Sequence, residues 1–64
     1  MRVTVNGEMR DLPEGSTLSS LVESLGLRRE ALVAEVNRTV LPAGADKPLA
    51  EGDRVELIQF VGGG

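Results

Sequence analysis

Gly52-Asp53-Arg54-Val55-Glu56-Leu57-Ile58-Gln59-Phe60-Val61-Gly62-Gly63-Gly64 is the stretch whose reading decides the fold. Gly52-Asp53 closes a turn, and Arg54 to Val61 is the longest apolar-bearing run in the chain. Strand alternation puts Val55 and Leu57 on one face, the core face, and Arg54, Glu56, Ile58 and Phe60 on the other. Ile58, Phe60 and Val61 therefore form a docking patch directly before a glycine tail. A bulge near Ile58 would instead turn one of these side chains inward. Gly62, Gly63 and Gly64 carry no side chain to block a narrow channel, so a terminal carboxylate on Gly64 can be threaded into another enzyme and activated there.

Working outward, Val3 and Val5 alternate with Arg2 and Thr4, the period of a half-buried strand. Asn6-Gly7 is a strong hairpin signal, and Glu8 to Leu12 is the return strand. A two-residue loop sets Arg10 opposite Val3 and turns Met9 outward. A three-residue loop with a glycine bulge brings Met9 beside Val3, and the larger apolar burial favours it. Pro13-Glu14-Gly15 breaks the strand, and Ser16 or Thr17 offers an N-cap oxygen. Leu18, Leu21, Val22 and Leu25 make one apolar stripe, and Gly26 stands where a C′ glycine ends a helix. So short a helix must lie on a sheet. Leu32, Ala34 and Val36 alternate as a third strand, and Asn37-Arg38 turns into Thr39-Val40-Leu41, which Pro42 ends. Ala43 to Asp53 is loop around Leu49. Two strands, a helix and further strands, the first and last both apolar, describe an α+β fold: a mixed four- to five-stranded sheet packed on one main helix. With the first and last strands adjacent and parallel, it is a β-grasp. Residues 1–61 form that domain and 62–64 its flexible tail.

Composition excludes several functions. The 64 residues make one small domain with no Cys and no His, so disulfides, thiolate chemistry and histidine general bases are absent. That argues against an enzyme in its own right. Ten acids against seven bases, net charge −3, and one aromatic residue speak against nucleic-acid binding. No apolar run approaches a membrane span and no signal segment opens the chain, so a cytoplasmic, monomeric protein is expected. Glu51, Asp53 and Glu56 either meet a basic partner surface or form a solvated face.

The run from Gly52 to Gly64, with the Asn-Gly hairpin and the single helix before it, resembles the ThiS family of thiamine-biosynthesis sulfur carriers. The specific parts are Gly52-Asp53 and the Phe60-Val61-Gly62-Gly63 ending. The resemblance covers the whole chain and implies a ubiquitin-like β-grasp. It also implies that Gly64 is adenylated and then converted to a thiocarboxylate that supplies sulfur for thiazole formation. The implied partners are a ThiF-like adenylating enzyme using ATP and magnesium, a ThiG-like thiazole synthase, and a sulfur donor such as a cysteine desulfurase. Arg38 departs from the family, in which a second Asn-Gly type turn is common. Related carriers serve tRNA thiolation or molybdopterin synthesis or modify lysines, and an inert β-grasp binding module is the reading of another class.

Overall fold

Alternating valines build the first strand. In the computed structural model, which describes residues 1–59, β1 spans Arg2–Val5 with Val3 and Val5 buried. Asn6 and Gly7 both take positive φ (49° and 85°), the pattern of a two-residue type I′ turn. β2 returns over Glu8–Asp11, pairing Val3 with Arg10 and Thr4 with Met9. This corrects the expected bulged register: Met9 faces outward and is 63% exposed. The type I′ turn matches the twist of the strands, and all four residues of this edge strand are exposed. The edge thus has no buried site that would reward moving Met9 to the other face.

Thr17 starts α1, Leu18–Ser24, through a reciprocal capping box. Its Oγ1 accepts from the Ser20 N–H at 3.1 Å, and its own N–H donates to Ser20 Oγ at 2.8 Å. Gly26, at φ 76°, closes the other end. The Leu27 N–H reaches the Val22 carbonyl at 3.1 Å and the Gly26 N–H the Glu23 carbonyl at 3.0 Å, a Schellman motif. Leu18, Leu21 and Val22 are buried as the stripe requires, and Leu25 is partly buried.

A 3-10 turn over Arg29–Ala31 then leads into β3, Leu32–Val36, whose Leu32, Ala34 and Val36 are buried. A second pair of positive φ values, Asn37 (52°) and Arg38 (71°), turns the chain into β4, Thr39–Leu41. The long loop returns Leu49 to the core, and β5 runs from Arg54 to Gln59. Phe60 and Val61, expected to complete that strand, lie outside the described residues.

The sheet order is β2-β1-β5-β3-β4. β1 and β5 are parallel neighbours and β3 is antiparallel to β5, the mixed β-grasp arrangement. One face of this sheet and α1 enclose Val3, Val5, Leu18, Leu21, Val22, Leu32, Ala34, Val36, Leu49 and Val55. β5 lies at the centre of the sheet between β1 and β3, with Val55 buried on the core face and Ile58 on the other.

Candidate functional site

The strand that leads to the glycines is held from both sides. β1 and β3 flank β5, and each is followed by a turn whose first residue is asparagine in left-handed conformation. Asn tolerates that region because its short polar side chain can bond locally. At one end, Asn37 Oδ1 accepts from the Arg54 N–H at 2.9 Å, and Asn37 Nδ2 donates to Asp53 Oδ1 at 2.9 Å. At the other, Asn6 Oδ1 accepts from the Leu57 N–H at 2.8 Å. Since β1 pairs with β5 only through Thr4–Arg54 and Val5–Val55, the Asn6 side chain extends that support past the end of β1.

β3 pairs regularly with β5 through Gln59, opposite Leu32, and Val33 faces Ile58. The unbroken register leaves no bulge at Ile58, and the side chain stays on the open face, 44% exposed. Alternation places half-buried Val33 beside it, with exposed Val40 and Met9 elsewhere on the same face. Leu57 is half-buried against the core, as expected. Phe60 and Val61 of the expected patch, and Gly62, Gly63 and Gly64 of the tail, lie outside the described residues.

The acidic residues near β5 divide into two kinds. Glu51 accepts the Arg2 backbone N–H at 2.9 Å, and Asp53 Oδ2 accepts the Ala50 N–H at 2.8 Å. Both therefore fasten the turn that feeds β5. Glu56 lies exposed on the open face.

Two polar residues escaped the sequence reading. Arg29 is 3% exposed and spends its guanidinium on backbone carbonyls: Ala45 at 2.7 Å, Pro42 at 2.9 Å, Leu32 at 2.5 Å and Leu41 at 3.5 Å. It ties the 3-10 turn to the end of β4, and those carbonyls have no signature in a linear sequence. Asp46 Oδ1 accepts from the Ser19 N–H at 2.8 Å, in the first turn of α1. That bond, with a further one from Lys47, holds its carboxyl below the usual aspartate range. Among the described residues no group of His, Cys, Asp and Glu is arranged to hold a metal. No helix among them is long and apolar enough to cross a membrane.

Comparison with known proteins places this geometry. The family model described as the ThiS family matches residues 3–64. The chain belongs to the ThiS family. It is 34% identical to a protein of Thermus thermophilus named sulfur carrier protein ThiS, over 97% of this chain and 98% of that one. A solved structure titled thiamine biosynthesis protein (ThiS), from Geobacter metallireducens, superposes with a TM-score of 0.69 at 30% identity and full coverage of both chains. A protein of Magnetococcus marinus named thiazole synthase is 35% identical over all of this chain. The chain spans only 20% of that relative, and the same share of a thiazole synthase from Paramagnetospirillum magneticum to which it is 30% identical. ThiS membership agrees with the parallel β1–β5 pair and with the single helix on one face of the sheet.

Proposed function

We propose that this ThiS-family chain is a sulfur carrier of thiamine biosynthesis, a protein cosubstrate on which partner enzymes act at Gly64. The observation that carries the reading is the family match running through residue 64, together with end-to-end similarity to a Thermus carrier. The chemistry follows from what a carboxylate lacks. Its charge repels nucleophiles and its oxygen leaves poorly, so it must be activated before sulfur can enter. A ThiF-like enzyme would join the Gly64 carboxylate to the α-phosphate of ATP, with magnesium, releasing pyrophosphate. Attack by the terminal sulfur of a donor persulfide then expels AMP and gives an acyl disulfide. A second thiol of the partner enzymes cleaves it, leaving the Gly64 thiocarboxylate and a disulfide on the partners. Gly62 and Gly63 serve as the neck, because any Cβ there would widen it where the channel is narrowest.

The chain's own residues supply presentation. Ile58, with Phe60 and Val61 after it, offers a partner an apolar grip close to the reacting carbon. A rigid β5 fixes where the tail departs. The names of the two thiazole synthases that contain a segment like this chain favour thiazole formation as the destination over tRNA thiolation or molybdopterin synthesis.

The deciding experiment is the intact mass of the protein after incubation with ATP, magnesium, its source's adenylating enzyme and a sulfur donor. The expected result is one oxygen replaced by sulfur, located by fragmentation to Gly64. A terminus that stays unmodified would favour an inert β-grasp binding module.

A further inference from the structure

β5 is longer than the strand beside it, and the mismatch leaves backbone groups without a strand partner. The Thr4 N–H bonds the Asp53 carbonyl and the Asn6 N–H the Val55 carbonyl, both at 2.9 Å. The Asn37 N–H, on the other flank, bonds the Arg54 carbonyl at 2.8 Å. Backbone groups alternate sides along a strand, so residues 53, 55, 57 and 59 direct theirs toward β1 and residues 54, 56 and 58 toward β3. β1 ends at Val5, opposite Val55. Beyond that point the Asn6 side chain satisfies the Leu57 N–H. The Leu57 carbonyl and the Gln59 N–H face a strand-wide vacancy among the described residues.

We propose that this short edge, Leu57 to Gln59, receives an extended segment of the adenylating partner as an added strand. The inference rests on the carrier reading above. Strand addition suits the edge because main-chain bonds supply the affinity and side-chain pockets the selectivity. A groove of about 240 Å³ lies beside the edge, with Val5, Leu25, Leu27 and Leu57 among its walls and Glu8 and Arg10 at its rim. Alternate side chains of an added strand would enter it. The rim ion pair, Arg10 to Glu8 at 3.8 Å, lies open to solvent and can re-form around an occupant.

Two observations select this edge and this partner. The outer edge of β2 also has free backbone groups, but three of its four residues, Glu8, Arg10 and Asp11, are charged, which discourages pairing. The other outer edge, β4, is only three residues long and is stopped by Pro42. Five residues follow Gln59 and end at Gly64. At about 3.4 Å each, they reach at most about 17 Å. An enzyme that grips the edge while acting on Gly64 therefore holds its reaction centre within that distance, and the adenylating enzyme, which acts on the carboxylate first, is the occupant we assign.

The test uses the full chain made by chemical synthesis with a single N-methyl group on the Gln59 backbone nitrogen. That nitrogen faces away from β3, so the fold and its melting temperature are expected to stay unchanged. A second chain, methylated at Met9, blocks the outer edge of β2 instead. The dissociation constant for the source's ThiF-like enzyme should rise about tenfold with the Gln59 methyl, the scale of one or two backbone hydrogen bonds, and stay constant with the Met9 methyl. Equal binding by all three chains, or weakening only by the Met9 methyl, overturns the edge proposal while leaving the carrier reading intact. If the unmodified chain neither binds the enzyme nor becomes adenylated, the carrier reading fails and the edge proposal with it. Amide exchange on the unmodified chain gives a check that needs no variant. The Gln59 N–H should exchange about tenfold more slowly in the complex, and unchanged exchange refutes the added strand.

Discussion

The two turns that flank β5 have the same backbone and different spellings. Asn6-Gly7 uses residues that enter left-handed conformation at little cost, whereas Asn37-Arg38 puts an arginine at φ 71° where glycine is the easy choice. The second turn makes up for this with more bonds. Among the described residues, Asn37 grips both Arg54 and Asp53, while Asn6 makes a single side-chain bond, to Leu57. One turn anchors the start of β5, where the sheet is paired on both sides. The other steadies its second half, at Leu57, where β1 has ended. Strain with strong bracing at the anchored end, and ease with light bracing at the end the proposal makes the working one, is how the fold distributes support along β5.

The largest test of this contrast is Asn37→Ala against Asn6→Ala. Asn37→Ala removes two hydrogen bonds and the residue best suited to its φ, a loss of about 2–3 kcal/mol. Asn6→Ala removes one bond and should cost about 1.5 kcal/mol. Urea unfolding of both, with unchanged slope, measures the difference. Equal losses would erase the distinction between the anchored and the working end.

Much of this contrast was legible in the sequence. Asn-Gly announced the first turn, and Asn37-Arg38 was placed correctly between two strands. The parallel pairing of β1 with β5 was left as a condition by the two apolar strands at the chain's ends, and the family resemblance implied it. The register of the first hairpin was not, because burial of Met9 was given more weight than turn twist. That weighting fails on an edge strand whose four residues are all exposed. The side-chain grips of Asn6 and Asn37 were invisible for another reason. Asn6 and Leu57 are 51 residues apart and meet only once β1 lies beside β5. Of the docking patch, Ile58 was placed rightly on the open face; Phe60 and Val61 lie outside the described residues. Arg29 was not singled out at all, since nothing in a linear sequence shows four carbonyls converging on one guanidinium.

A smaller effect is expected at Gly7. A Cβ there meets nothing within 4 Å, so Gly7→Ala probes the backbone alone, at φ 85°. The expected loss is about 1 kcal/mol, with the hairpin register intact by NMR. A larger loss would mean that the register itself had slipped, and with it the placement of Asn6 beside Leu57.

Arg38→Gly is the mirror experiment and the smallest effect. Relief of the left-handed conformation returns about 1–2 kcal/mol, and the added freedom of glycine in the unfolded chain takes back about 0.5–1. The net expectation is a stabilisation of about 0.5–1 kcal/mol by urea unfolding. Combining it with Asn37→Ala sharpens the point. If bracing by Asn37 is what makes an arginine tolerable at this position, relieving the strain should recover part of the Asn37→Ala loss. The recovery should match the gain that Arg38→Gly gives alone only if strain and bracing are independent. A gain that is larger in the double variant would show that the two bonds to β5 hold Arg38 in place, and that the second turn is a braced copy of the first.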